Sequence, residues 1–276
     1  MTTLLSRVVA LTLAAVARLS AAEPPVPAPL PSAPPAVSLN EAAGADSFGA
    51  FFSGNGEFLF FQSLADDLVA NDGSPGTVDL FRYEISSDTL IRVSSEPVAK
   101  GTPADWVAPA ASDDGDVVVF ASTSTALVAA KTNRSVLDIF WKRISTGEVR
   151  LLSLSTNGTS GGDRDSKQAV LSGDGRYVAF ESEALNLAPL DSVSVPAGSF
   201  RSVVYLCDTQ VPGLIPASTP ADSLPISVSA HNPSLSKDGR RLAYYTESID
   251  GSGGSIRVVV RENATESILW SFETSD

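Results

Sequence analysis

The chain has 276 residues, 43% of them hydrophobic, enough to bury a sizeable core and to exclude a disordered protein. Lys and Arg number 19 against 32 Asp and Glu, a net charge of -13 that argues against nucleic acid and anionic membrane surfaces as partners. One cysteine, Cys207, excludes an intrachain disulfide, and with one histidine, His231, it excludes a zinc site built from those ligands.

In chain order, residues 1–22 read as a secretory signal. Arg7 supplies the positive start, Val8 to Ala17 the apolar stretch, and Ser20-Ala21-Ala22 a small-residue cleavage site. Arg18 ends the apolar stretch well short of the ~20 residues that a spanning helix needs. Residues 23–36 carry Pro24, Pro25, Pro27, Pro29, Pro31, Pro34 and Pro35, a density that favours an extended linker. The folded part is therefore expected to be periplasmic, envelope-associated or secreted, with no membrane span after signal cleavage.

Residues 37–276 contain a repeat. Ser53-Gly54-Asn55-Gly56, Ser112-Asp113-Asp114-Gly115, Ser172-Gly173-Asp174-Gly175 and Ser236-Lys237-Asp238-Gly239 align without gaps, their last glycines 59, 60 and 64 positions apart. Five residues beyond each glycine stands an aromatic ring: Phe61, Phe120, Phe180 or Tyr244. Two further on stands a hydroxyl, Ser63, Ser122, Ser182 or Thr246, and two before the ring an aliphatic, Leu59, Val118, Val178 or Leu242. That two-residue period is a strand, and the Asn55-Gly56, Asp114-Gly115, Asp174-Gly175 and Asp238-Gly239 pairs predict a hairpin before each one, of type I′ with positive φ at both positions.

Within each repeat the first strands are expected at Gly49 to Phe52, Val107 to Ala111, Gln168 to Leu171 and Pro233 to Leu235. Third strands are expected at Asp79 to Tyr83, Asp138 to Lys142, Ser202 to Cys207 and Ile256 to Arg261; fourth strands at Leu90 to Ser94, Val149 to Leu154, Leu224 to Val228 and Glu266 to Phe272. Four antiparallel strands per repeat, over about 45–98, 99–156, 157–229 and 230–276, predict an all-β fold: a β-propeller with four visible blades. Val37 to Asn40 reads as a surplus strand, which leaves two arrangements open, an incomplete ring and a four-blade closure. An open ring would expose sheet faces and invite self-association.

Leu171-Ser172-Gly173-Asp174-Gly175-Arg176-Tyr177-Val178-Ala179-Phe180 resembles the core of the WD-like propeller repeats of the TolB-type family. The resemblance implies the propeller fold and leaves function unassigned. Its Asp-Gly-Arg is complete at Asp174-Gly175-Arg176 and Asp238-Gly239-Arg240, whereas Glu57 and Asp116 replace the arginine in the other two repeats.

Candidate chemistry is sparse, and the chain reads as a non-enzyme with no catalytic, cofactor or metal residues assigned. His231 stands before a strand with no carboxylate partner evident in sequence. Gly158-Thr159-Ser160-Gly161-Gly162 matches G-x-S-x-G but lacks the strand-turn-helix context of a nucleophile elbow. Asp163 and Asp165, and Asp113, Asp114 and Asp116, are weak candidates for Ca²⁺ because an EF-hand's spacing is absent. The function expected is an exported propeller that binds a protein or glycan or serves as an envelope scaffold, with Leu185 to Arg201 and Thr209 to Ser223 as its most variable loops. The alternatives are the propeller part of a larger hydrolase or TolB-like system, and an enzyme with a channel active site that sequence does not display.

Overall fold

The computed structural model describes residues 44–70, 77–94, 108–132, 135–187, 201–218, 228–248, 256–264 and 267–274, all within one unit, Ala42–Asp276. The signal, the proline-rich linker and the Val37 to Asn40 segment lie outside the described residues.

Four antiparallel sheets of four strands follow one another along the chain. Blade 1 holds β1 (Ser47–Phe52), β2 (Phe58–Ser63), β3 (Asp79–Glu84) and β4 (Thr89–Arg92). Blade 2 holds β5 (Ala110–Ala111), β6 (Val117–Ser122), β7 (Asp138–Arg143) and β8 (Val149–Leu151). Blade 3 holds β9 (Ser166–Leu171), β10 (Tyr177–Ser182), β11 (Val203–Asp208) and β12 (Leu214–Pro216). Blade 4 holds β13 (Val228–Leu235), β14 (Arg241–Ser248), β15 (Ile256–Glu262) and β16 (Ser267–Thr274).

The hairpins fall where the repeat puts them, but their geometry differs from the I′ expectation. In blade 3 Gly175 N donates to Ser172 O (2.9 Å) and Ser172 N to Tyr177 O (2.8 Å), enclosing a four-residue loop. Of the turn residues only the glycines, Gly56, Gly115, Gly175 and Gly239, have positive φ, from 68° to 74°. This is a type I turn followed by a left-handed glycine, the usual core of four-residue hairpin loops. The Asn or Asp is there for its side chain: Asp174 Oδ1 accepts Ser172 Oγ (2.5 Å) and Arg176 N (3.0 Å), and Asn55, Asp114 and Asp238 do the same.

A fifth turn of identical wiring occurs at Ser155-Thr156-Asn157-Gly158, where Gly158 has φ 70° and Asn157 Oδ1 accepts Ser155 Oγ (2.7 Å) and Thr159 N (2.9 Å). It opens no blade and falls off the sixty-residue period. The signature therefore encodes a turn, and only its spacing encodes a blade.

The fourth strand of blade 3 is β12, Leu214–Pro216; of the expected Leu224 to Val228, 224–227 lies outside the described residues and Val228 begins β13. An apolar-Ser pair follows each of the fourth strands of blades 1 to 3. The pairs are Val93-Ser94, Leu152-Ser153 and Ala217-Ser218, whose buried hydroxyls each accept a third-strand N–H, from Leu80 (2.9 Å), Ile139 (3.0 Å) and Val204 (2.9 Å).

Three buried clusters join consecutive blades. Phe60, Leu80, Val118, Phe120 and Phe140 lie between blades 1 and 2; Val119, Ile139, Trp141, Phe180 and Tyr205 between blades 2 and 3; Ala179, Val204, Leu242, Tyr244 and Val259 between blades 3 and 4. Because blade 2 is covered on both faces, β6 is apolar almost throughout (VVVFAS) and buried at all six positions. Among the described residues no such cluster joins blade 4 to blade 1, so the four blades form an open arc.

Candidate functional site

Two recesses meet at the outer edge between blades 2 and 3. One is a cavity of about 760 Å³ with apolar walls from Leu151, Leu154, Val211 and Leu214. The other, of about 310 Å³, is polar and holds Arg143, Arg150 and Arg176 around Trp141. Arg150, Thr209 and Gln210 line both, so they form one cleft. Thr209 to Gly213 is the tight link from β11 to β12, within one of the two segments that the sequence marks as variable; 188–200 of the other lies outside the described residues.

The arginines are held rather than free. Arg143 and Arg150 carry their guanidinium carbons 5.3 and 4.9 Å from the Trp141 ring centre, and Trp141 Nε1 donates to Gly175 O (3.4 Å). Arg176 donates twice to Asp208 (3.0 and 2.7 Å). That bidentate hydrogen bond holds the Asp208 carboxyl below its ordinary range. In blade 2 the same two positions carry Asp116 and Arg143, 3.4 Å apart, with the charges exchanged. Asp116, standing where blade 3 has Arg176, is thus compensated across the strand. Arg150 pairs with Glu148 (2.6 Å) and donates to Thr209 O (2.9 Å), tying blade 2 to blade 3. With its cations neutralised, the cleft offers an apolar floor and a hydrogen-bonding rim, a surface suited to binding.

Cys207 on the cavity wall is buried, and burial pushes its thiol up to about 11. Iodoacetamide near pH 8 is expected to label it only after denaturant is added, which mass spectrometry of the intact chain would show.

Elsewhere the candidate residues are separated. Ser160 Oγ lies 2.9 Å from Ser155 Oγ within the fifth turn, with no helix following. Asp163 accepts Leu185 N (2.8 Å) and Asp165 accepts Leu137 N (2.8 Å). Asp113 faces Lys237 (2.8 Å), Asp114 closes its own turn, and Asp116 accepts Ser145 N (2.7 Å). Among the described residues no group of three His, Cys, Asp or Glu is arranged to hold a metal, and no helix is long and apolar enough to cross a membrane.

His231 does have carboxylate partners, contrary to the sequence reading. It lies within β13, with Nδ1 3.3 Å from Glu181 Oε2 and Nε2 3.3 Å from Glu247 Oε1. The Nε2 contact is electrostatic, with no aligned hydrogen bond. Asn232 N donates to Glu181 (3.1 Å), Lys167 Nζ stands 3.7 Å from the same carboxylate, and the imidazole rests on Tyr245 at 5.4 Å. Glu181 belongs to the preceding repeat, so only folding reveals the pair. The hydrogen bond to Glu181 raises the His231 pKa; burial opposes this, the charges of Glu181 and Glu247 add to it, and Lys167 subtracts.

A histidine whose folded pKa is raised contributes stability that is full below its unfolded pKa and is lost as pH rises through the folded value. The melting temperature is therefore expected to fall as pH rises through and above the ordinary histidine range near 6.5, and His231→Gln to flatten that slope. Thermal melts of both proteins across that range check it.

No family model matches the chain, and no characterised protein sequence matches it. Solved structures do. A prolyl endopeptidase aligns over 84% of this chain and 29% of its own, with TM-score 0.50 and 11% identity. The dipeptidyl peptidase 4 of Porphyromonas gingivalis aligns over 82% and 33%, with TM-score 0.50 and 12% identity. The fold is a β-propeller. An oligogalacturonate lyase in complex with manganese aligns with TM-score 0.46 and 18% identity over 84% of this chain. The chain spans about half the length of that lyase and of the Vibrio parahaemolyticus one, 55% and 53%.

Proposed function

We propose that this propeller is an exported, non-catalytic module of the cell envelope, with repeats of TolB type, that binds a protein or glycan partner in the cleft between blades 2 and 3. The observation that carries the reading is the continuity of the apolar cavity with the arginine-rimmed recess through Arg150, Thr209 and Gln210. Such a surface accepts an apolar group below and hydrogen-bond acceptors above. Val211, 57% exposed on its wall, is an apolar anchor point. Capture from envelope extracts with the wild-type chain, compared with Val211→Asp and Leu154→Arg, tests the site: a partner retained by the first and lost by both variants supports it. Equal recovery on all three removes it. Cell fractionation, with a charged residue placed in Val8 to Ala17 as control, tests export.

A second reading, the propeller part of a longer hydrolase or TolB-like system, is favoured by the 29% and 33% of the two peptidases that the chain spans. The mass of the native polypeptide in cells separates the two.

A further inference from the structure

Consecutive blades are joined at their turns by contacts that repeat with a fixed direction. Asn55 N donates to Asp113 O (2.9 Å), Asp113 N to Gly173 O (2.7 Å), and Gly173 N to Lys237 O (2.8 Å), always from one blade to the next. The residue after each hairpin loop covers the glycine of the next turn: Phe58 lies over Gly115, Val117 over Gly175, and Tyr177 over Gly239. A third contact donates to the glycine carbonyl, from Arg82 Nη1 to Gly115 (3.2 Å) and from Trp141 Nε1 to Gly175 (3.4 Å).

The two ends of the arc hold the unmatched halves of this pattern. Among the described residues, nothing lies within 4 Å of where a Cβ on Gly56 would stand, although the other three turn glycines are all covered. At the other end Arg241, the counterpart of Phe58, Val117 and Tyr177, has a side chain 65% exposed, with one loose ion pair to Glu262 at 3.8 Å. On the outward sheet faces Phe52 is 61% and Val258 38% exposed, while Phe81, on the same face as Phe52, is buried, so the blade 1 face is open only along its Phe52 edge. Phe52 alternates with Phe51, and Val258 with Val259, which pack inward, so both point away from the neighbouring blade. The charges agree too, because Arg241 placed over Gly56 would stand beside Glu57, which is exposed.

We propose that a second copy of this chain completes the ring, the blade 4 edge of each copy docking head-to-tail on the blade 1 edge of the other. The donor edge fits an acceptor edge and not itself, so the contact is heterologous, and it closes when two copies have been joined. Two arcs of four blades make eight, within the usual propeller range. A second copy is the occupant because it presents the forward-pointing turn donor, the covering side chain and the apolar face together. Exposed faces of this kind are otherwise aggregation sites.

Sedimentation equilibrium of the exported chain over a wide concentration range tests this, with circular dichroism confirming the fold of each variant. The wild type is expected to be a dimer. Arg241→Glu and Glu57→Arg, made singly, should each weaken association by about tenfold or more through like-charge contact at the seam. The double exchange should restore it to within roughly threefold. Val258→Asp, on the docked face and not in the charge pair, should also dissociate the dimer. A monomer at every concentration overturns the proposal, as does a dimer indifferent to both single exchanges or a native polypeptide that supplies further blades itself.

Discussion

Replacing Lys131 by Met is expected to lower the melting temperature by roughly 10 °C, the equivalent of about 3–5 kcal/mol. Lys131 Nζ stands 2.8 Å from Asp138 Oδ2, and both side chains are fully buried. Asp138 opens β7 and also accepts Ser153 Oγ (2.5 Å) and Gly162 N (2.9 Å), so its carboxylate is fixed where the third strand of blade 2 begins. Lys131 Nζ also donates to Val136 O (2.7 Å). The Oδ2 contact is a charge pair without an aligned hydrogen bond, so what it chiefly supplies is neutralisation of a buried carboxylate. Methionine fills the volume and leaves that charge unpaired. Adding Asp138→Asn removes the charge while keeping an acceptor for Ser153 and Gly162, and the double variant should recover at least half of the loss. Calorimetry of the two variants checks this; a Lys131→Met protein that melts like the wild type would mean that water reaches the site.

Gly175→Ala is expected to cost about 3 kcal/mol and Gly158→Ala about 1 kcal/mol, although both glycines occupy the same left-handed region. Their φ values are 72° and 70°. The backbone penalty of a side chain there is thus shared. The difference lies in what the Cβ meets: at Gly175 it would lie 2.9 Å from Val117 Cβ, whereas at Gly158 nothing among the described residues stands within 4 Å. Overpacking between blades 2 and 3 adds about 1–3 kcal/mol at the first position only. Urea unfolding of both variants measures it, and equal midpoints would show that the blade contact at Gly175 yields without cost.

These two pairs also mark how far the sequence could be read. The four hairpins and most of the sixteen strands were legible because a strand period of two and a repeat near sixty residues are both local patterns. Turn type was misread since Asp-Gly suits two geometries; the choice here is made by Ser172 Oγ and the Arg176 N–H, which gather on the Asp174 side chain instead of leaving it free to adopt positive φ. β12 was missed although Ser218 keeps the spacing from Val204 that Ser94 keeps from Leu80 and Ser153 from Ile139: Leu214–Pro216 is short and ends in a proline, which reads as a loop. The cleft was half legible: variability at Thr209 to Ser223 pointed to the loop, but nothing local placed Arg150 and Trp141 opposite it.

By itself the sequence determined the all-β class, the blade unit and its count, because alternation and turn chemistry act between residues close in the chain. Tertiary structure alone decided that His231 is clamped by Glu181, that Lys131 neutralises Asp138, and that no core joins blade 4 to blade 1 among the described residues. Those outcomes depend on which faces of separate repeats meet, and how strongly a charge or an apolar face must be partnered is set by its burial, which only the packed blades define.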